Sequence, residues 1–289
     1  MIDSKQTIQW FPGHMTKTRR KIKEILPLID AVTEIVDARI PLSSRNPEIA
    51  ELIEGKPHII LLNKSDMADK AATEEWIRYY KSQNITAIAI DCKSGKGLNS
   101  FKDTVKSTLK EKLEQYASKG MVGKPLRVMI VGIPNVGKSS FINRIAGKNR
   151  AKVENRPGVT RGNQWFTIDR QLELLDTPGV LWPKFEDQTV GERLAFTGAV
   201  KDRVVDTELL AMRLLEILSI HYKDLLESRY GKLDFDCDSY DLLCQIGKKR
   251  GMVIRGGETD TERAANMLLE EYRNCKIGFI TLERVEDNA

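Results

Sequence analysis

The sequence contains no long apolar run and no closely spaced pair of cysteines, and both absences exclude whole classes of protein. No stretch approaches the ~20 consecutive apolar residues that a membrane-spanning helix needs, and the N-terminus lacks the apolar segment of a signal peptide. The four cysteines are scattered and form no C-x-x-C pair, which argues against a zinc site or a disulfide framework. We therefore expect a cytoplasmic protein that has reduced thiols and no membrane partner.

The composition is that of a globular protein with an uneven distribution of positive charge. The 289 residues suit one large domain or two ordinary ones, and 41% are hydrophobic while 30% are charged. The net charge is +5, and basic residues cluster at 17–23, 142–170 and 247–255. Any one of these runs is equally well explained as a solvated face, but three separated clusters favour a polyanionic partner.

Two alternating sequence patterns organise the first part of the chain. Short runs rich in β-branched residues alternate with stretches of helical periodicity, which predicts an α/β sheet of parallel strands. The strand-like runs lie at 31–39, 58–66, 85–91 and 126–132. Later in the chain the apolar spacing is helical. We expect an α/β domain over residues 1–183, which includes a basic helix near its start, and a smaller all-α domain over 184–289.

The octapeptide GIPNVGKS begins at Gly132 and matches the phosphate-binding loop G-x-x-x-x-G-K-[ST], with a strand-like run before it and a helix-like run after it. Gly132 and Gly137 let the backbone curl so that its N–H groups face phosphate oxygens. Lys138 is expected to reach the β- and γ-phosphates, and the Ser139 hydroxyl to bind Mg²⁺. The predicted phosphate contacts come from Asn135, Val136, Gly137, Lys138, Ser139 and Ser140.

The segment LELLDTPG, which ends at Gly179, has the pattern of the second half of such a site. Asp176 is expected to hold Mg²⁺ through water, and the Gly179 N–H to meet the γ-phosphate. Thr160 lies between the two motifs and is the candidate switch threonine, whose hydroxyl would complete the Mg²⁺ shell. A plain turn residue is the alternative for Thr160.

The tetrapeptide NKSD, Asn63 to Asp66, has the form N-K-x-D that selects guanine over adenine. The Asp66 carboxylate can accept hydrogen bonds from the ring N–H and the exocyclic amine of guanine. The Asn63 amide can bond the ring or tie loops together, and the aliphatic stem of Lys64 can cover the flat base. The Cys92 and Lys93 backbone N–H groups are expected to meet the base oxygen.

The base-reading tetrapeptide precedes the phosphate loop, which reverses the usual order of these elements. A sheet protein whose termini lie close together can be cut and rejoined without a change of core. The sequence therefore predicts a P-loop GTPase domain with circularly permuted motif order. In such a chain the DTPG loop leads directly into the helical domain, so we infer that GTP or GDP sets the state of that domain.

Six segments give the chain a close resemblance to the circularly permuted GTPases of bacterial ribosome biogenesis: WFPGHM at 10–15, DARIP at 37–41, NKSD at 63–66, GIPNVGKS at 132–139, PGVTRG at 157–162 and DTPG at 176–179. The resemblance implies GTP hydrolysis during late assembly of the large ribosomal subunit. It also implies that ribosomal RNA and ribosomal proteins are partners and that the helical tail binds RNA. We expect a monomer.

Ras-like GTPases orient the attacking water with a glutamine after the D-x-x-G glycine, and Val180 stands at that position here. The resemblance points instead to His14, because a histidine can position water or accept a proton near neutral pH. A turn or cap histidine is the alternative. GTPases of related pattern also use the asparagine equivalent to Asn135 to bind K⁺, which makes K⁺ a candidate ligand beside GTP or GDP and Mg²⁺. A simple loop asparagine is the alternative there.

Three functions remain open from the sequence. The first is a GTP-hydrolysing switch that binds ribosomal RNA, with hydrolysis slow alone and stimulated by the ribosomal subunit. The second is a GTP-gated RNA-binding placeholder with negligible hydrolysis, which Val180 favours and His14 opposes. The third is a phosphotransferase acting on a small molecule, which the combination of NKSD, Thr160 and DTPG opposes. The first is the predicted function.

Overall fold

The structure is a computed structural model, and it describes residues 15–121, 123–147, 153–154, 164–177, 187–200 and 206–286. The described chain divides into two compact units. The first lies within Trp10–Lys184 and also takes in the end of the chain from Glu283, while the second lies within Phe185–Leu282. Across these described ranges, no helix is long and apolar enough to cross a membrane.

The first unit is built on a seven-stranded sheet with the order β3-β2-β1-β4-β7-β6-β5. Strands β1 to β4 and β7 run parallel to one another, while β6 is antiparallel to both β5 and β7. The expected parallel α/β sheet is therefore present, with an antiparallel edge. The strands are β1 Ala31–Asp37, β2 His58–Asn63, β3 Thr86–Ala89, β4 Leu126–Val131, β5 Val153–Glu154, β6 Gln164–Asp169 and β7 Leu172–Asp176.

The register of the parallel strands brings the chemical motifs to one edge of the sheet. Asp37 pairs with Asn63 at the ends of β1 and β2, and Ile130 near the end of β4 pairs with Asp176 at the end of β7. The loops that leave the carboxyl ends of parallel strands share the same edge, which is where ligands bind in open α/β sheets. The base motif and the phosphate motif therefore converge although they lie far apart in sequence.

The described part of the first unit also contains six helices: α1 Met15–Ile25, α2 Pro47–Leu52, α3 Lys70–Ser82, α4 Asn99–Thr108, α5 Lys110–Ser118 and α6 Lys138–Ala146. A short 3₁₀ turn, Leu26–Leu28, contains Pro27 and follows the end of α1. Asp69 caps α3, because its carboxylate accepts the Ala72 N–H at 3.1 Å. The apolar spacing of residues 97–115 predicts one helix, but the structure has two helices that meet at Leu109, where the backbone leaves helical geometry.

Two hydrophobic clusters fix the helices to the sheet. One joins α1 and α2 to β1, β4 and β7, through buried residues that include Ile22, Ile49, Met129 and Leu175. The other packs Trp76 and Tyr80 of α3 on the β1 and β2 strands. Phe101 of α4 meets Phe141 of α6 edge to face, with ring centroids 4.9 Å apart. This last contact supports the helix that follows the phosphate loop.

The second unit is helical, with α7 Gln188–Phe196, α8 Thr207–His221, α9 Lys223–Tyr230, α10 Ser239–Lys249 and α11 Thr261–Arg273. An aspartate caps the N-terminus of four of these helices: Asp187, Asp206, Asp238 and Asp260. Leucines of α8, α10 and α11 form the core, among them Leu214, Leu243 and Leu268, which are fully buried. The expected all-α region is therefore present.

The end of the chain differs from the expected domain boundary. The sequence assigned residues 184–289 to the helical domain, but the described chain from Glu283 onward belongs to the first unit. Val285 packs against the cluster that contains Trp76 and Tyr80. The pattern of the last residues carries no signal of this return, because the contacts that fix it lie more than two hundred residues away in sequence.

We expect Phe101→Ala to lower the free energy of unfolding of the first unit by about 3–5 kcal/mol, because the side chain is fully buried and its loss leaves a cavity. Urea denaturation measures the change. Leu28→Ala is the matched control, since half of that side chain is exposed and its truncation is expected to change stability little. Equal stability of the two variants would contradict this account of the core.

Candidate functional site

The phosphate loop joins β4 to α6, and two glycines make its shape possible. Gly132 and Gly137 have φ angles of +147° and +103°, which L side chains rarely adopt. A Cβ on Gly132 would lie 2.5 Å from the Ile35 carbonyl oxygen, and one on Gly137 would lie 2.3 Å from the Asn63 amide nitrogen. The loop therefore packs directly against β1 and the end of β2, where a side chain at either position would not fit.

Lys138 opens α6 and folds back over the phosphate loop. Its Nζ donates hydrogen bonds to the carbonyl oxygens of Gly132 at 2.9 Å and Ile133 at 2.8 Å. Burial lowers the pKa of Lys138 to about 8, while the negative charge of Asp176 acts in the opposite direction. The ammonium is thus held above the loop, where polyphosphate oxygens can replace the two carbonyl acceptors.

Asp176 ends β7 beside the phosphate loop. Its Oδ1 is buried, and among the described residues it has no hydrogen-bond partner. Burial raises the pKa of Asp176, and Lys138 opposes that shift. A buried carboxylate oxygen without a partner costs free energy unless a cation or its bound water satisfies it. The Asp176 carboxylate and the exposed Ser139 hydroxyl are hard oxygen donors, which suit Mg²⁺.

The Asn63 side chain ties three loops together. Its Nδ2 donates to the Val136 carbonyl oxygen at 2.6 Å, and its Oδ1 accepts the Cys92 backbone N–H at 3.1 Å. Asn63 is 3% exposed, so both bonds form in a dry environment that strengthens them. Of the two roles left open by the sequence, the structure shows the loop-tying one.

Lys64 and Asp66 project from the turn that follows β2. Lys64 has a left-handed backbone, with φ of 61°, and its Nζ donates to Asp37 Oδ2 at 2.8 Å. The Asp66 side chain is exposed, and its pKa is raised by partial burial and by the negative charge of Asp91. The stem of Lys64 is therefore fixed at one side of the turn, while the Asp66 carboxylate is open to a ligand.

The loop after β3 is closed by the Asp91 carboxylate. Asp91 Oδ1 accepts the Lys93 N–H at 2.7 Å, and Oδ2 accepts the Ser94 N–H at 2.9 Å. Burial favours protonation, but the hydrogen bonds from Ser94 and Lys93 outweigh it and lower the pKa of Asp91. Because the Cys92 and Lys93 amides already donate within the protein, a base oxygen would have to compete for them. Their contact with guanine stays a prediction.

Three of the predicted site residues lie outside the described structure, and three others lie in or just after the phosphate loop. His14, Thr160 and Gly179 lie outside the described residues. Asn135 is exposed in the phosphate loop and has a left-handed φ of 64°. Val136 is 1% exposed, whereas the Ser140 side chain faces solvent at the start of α6.

The structure adds two residues to which the sequence assigned no role. Arg39 donates to Asp37 through two nitrogens, at 2.9 Å and 2.8 Å, and both side chains are 3% exposed. Burial disfavours the Asp37 charge, but Arg39 and Lys64 outweigh it and hold the pKa of that carboxyl well below its usual range. The segment DARIP supported the family resemblance, yet only the fold shows that its aspartate contacts the base-reading lysine.

Comparison with known proteins identifies the family of this chain. The family described as 50S ribosome-binding GTPase matches residues 127–233. Ribosome biogenesis GTPase A from Priestia megaterium is 51% identical over 279 residues, which cover 96% of each chain. The chain belongs to the ribosome biogenesis GTPase A family. It is a GTPase of ribosome biogenesis that binds guanine nucleotides, as the resemblance implied.

Solved structures of the family share the fold. The GDP-bound structure of TM YlqF matches with a TM-score of 0.64 and 28% identity, and the match covers 93% of this chain and 100% of that one. The GNP-bound structure of YlqF from T. maritima matches with a TM-score of 0.63 and 28% identity, over 93% and 98% of the two chains. The permuted order of motifs is consistent with these relatives.

We expect Asp66→Asn to weaken GDP binding by about 100-fold, since two charge-assisted hydrogen bonds are lost. Xanthine carries a carbonyl where guanine has its exocyclic amine, so the new amide should favour xanthosine diphosphate. Titration of both nucleotides against the variant and the original chain measures the exchange of preference. Unchanged GDP affinity in the variant would remove Asp66 from the base site.

We expect GDP affinity to fall as the pH rises above about 8, by up to about tenfold per pH unit, because the phosphates bind the protonated form of Lys138. The phosphates raise the pKa of Lys138, so binding takes up a proton above the lowered pKa and none well below it. Calorimetry at pH 8 in buffers of different ionisation enthalpy measures this uptake. Binding at pH 8 without proton uptake would contradict the assigned role of Lys138.

Proposed function

We propose that this protein is a GTP-hydrolysing switch that binds a precursor of the large ribosomal subunit and promotes its late assembly. The observation that carries the proposal is the Asn63 amide, which bonds the phosphate loop at 2.6 Å and leads directly into Lys64 and Asp66. A chain that joins a guanine-selective turn to a phosphate loop is built to respond to GTP. The relatives' name, and the family's description as 50S ribosome-binding, support the large subunit as the partner.

The proposed nucleotide site has a base-binding part and a phosphate-binding part. Asp66 would select guanine and Lys64 would cover the base, while the amides from Val136 to Ser140 would bind the phosphates. Lys138 would neutralise charge that develops between the β- and γ-phosphates. Ser139 and Asp176 are the proposed Mg²⁺ donors among the described residues, and Thr160 and Gly179 are proposed to complete the γ-phosphate side.

Monovalent cation binding is a further part of the proposal. The Asn135 side chain lies on the exposed side of the phosphate loop, and a K⁺ ion there would offset phosphate charge during hydrolysis. Faster hydrolysis in K⁺ than in Na⁺ is the expected result. Equal rates in the two salts would remove Asn135 from this role.

Exposed basic residues support a polyanionic partner. On α1, Arg20 and Lys23 face solvent. In the helical unit, Lys248, Lys249 and Arg250 end α10, and Val253 and Ile254 in the following turn are half exposed. Cationic groups beside apolar side chains fit a nucleic acid, which offers both phosphates and flat bases. We propose that the helical unit contacts ribosomal RNA and that the protein acts as a monomer.

Hydrolysis rates with isolated large subunits, small subunits and neither test the proposed function. We expect large subunits alone to raise the rate by about tenfold or more, because subunit docking would bring His14 to the nucleotide. His14→Ala should lose the stimulation while it keeps GDP affinity. Full stimulation in His14→Ala would contradict the role of the histidine. No stimulation by any subunit, with tight GTP binding retained, would favour the alternative of a GTP-gated placeholder.

A further inference from the structure

Glu283, near the end of the described chain, contacts the turn that follows β1. The Glu283 carboxylate is fully buried and accepts the backbone N–H of Leu42 at 2.6 Å and that of Ser43 at 3.0 Å. The Glu283 backbone carbonyl accepts the Trp76 indole N–H at 3.0 Å. A buried carboxylate requires such donors, because its desolvation is otherwise costly. Glu283 is therefore a fixed anchor and not a loose chain end.

Leu42 and Ser43 belong to a turn, residues 38–45, that follows β1 and is held by further hydrogen bonds. The Ser44 hydroxyl accepts the Asp37 N–H at 2.9 Å and donates to the Ile40 carbonyl at 2.7 Å. The Tyr80 hydroxyl donates to the Pro41 carbonyl at 2.9 Å. Because each of these bonds is short and buried, a displacement of Leu42 and Ser43 would be transmitted to the rest of the turn.

The ion pair that contacts Lys64 joins this turn to the end of β1. Arg39, in the turn, binds both oxygens of Asp37, the last residue of β1, and Lys64 Nζ shares Asp37 Oδ2 at 2.8 Å. The Asp37 carboxylate is thus held between two cations. If the turn moved, Arg39 would leave the carboxylate, and Asp37 would lose the two side-chain hydrogen bonds that fix its orientation toward Lys64.

We propose that Glu283 is a positioning residue of the guanine-base subsite. By holding the Leu42 and Ser43 amides it keeps the Asp37–Arg39 pair in place, and that pair fixes the stem of Lys64 beside the base. The inference rests on the proposed function of Lys64 and Asp66. It makes Glu283 part of the support of the bound base, although Glu283 itself touches no nucleotide.

The affinities of Glu283→Gln and Glu283→Ala for GDP and for inorganic pyrophosphate, which has no base, test the proposal. The glutamine keeps the shape of the side chain and removes its charge. We expect GDP affinity to fall by about tenfold in the alanine variant and less in the glutamine variant, while pyrophosphate affinity stays constant. A purely structural role would lower thermal stability and leave the ratio of GDP to pyrophosphate affinity unchanged.

Two further variants show whether the effect is specific to Glu283. Arg284→Ala is the matched control, because Arg284 neighbours Glu283 and pairs with Asp69, the N-cap of α3, at 3.3 Å. It should keep the GDP-to-pyrophosphate ratio. Asp37→Asn should lower the ratio as Glu283→Ala does, since both act through Lys64.

The outcomes separate this inference from the proposed base site. A lower ratio in both Glu283 variants, with Arg284→Ala unchanged, supports the positioning role. An unchanged ratio in folded Glu283→Gln and Glu283→Ala overturns it. In the same assay Asp66→Asn must lower the GDP-to-pyrophosphate ratio. If Asp66→Asn kept the original ratio, the base site itself would be wrongly assigned.

Discussion

The amide side chain of Asn63 holds together the loops that follow three strands of the sheet. It donates to the phosphate loop after β4, accepts from the loop after β3, and itself ends β2. Each contact depends on the central parallel strands being in register, so that Asn63 stands at the same level as Asp37. A guanine nucleotide needs its base and its phosphates bound by parts that keep a constant separation. One buried amide provides that constant separation here.

This arrangement explains why a permuted order of motifs is compatible with a working site. The Asn63–Val136 contact is made through space at one edge of the sheet, so it does not depend on which motif is translated first. The order of the chain decides instead what is attached to the site. The segment after β7 leads to the helical unit, and the end of that unit returns to the first unit at Glu283. The helical unit is therefore bonded at both ends to the part of the chain that binds the nucleotide.

The sequence predicted those features that depend on local pattern. The glycines of GIPNVGKS, the strand before them and the helix after them are all within a few residues of one another, and each is present. Features set by distant contacts were not predictable. Nothing local marks Asp37 as the partner of Lys64 or Glu283 as the partner of the Leu42 amide. The break at Leu109 was also missed, because both helices continue the same apolar spacing across it.

The central claim is that the loops after β2 and β4 form one guanine-nucleotide site that Asn63 holds together. A crystal structure with GDP and Mg²⁺ tests it most directly. We predict the guanine N–H groups within hydrogen-bond distance of the Asp66 carboxylate and the phosphates on the amides from Val136 to Ser140. The Asn63 bonds to Val136 and Cys92 should be intact. A base bound away from Asp66, or an Asn63 side chain released from the phosphate loop, would contradict the account.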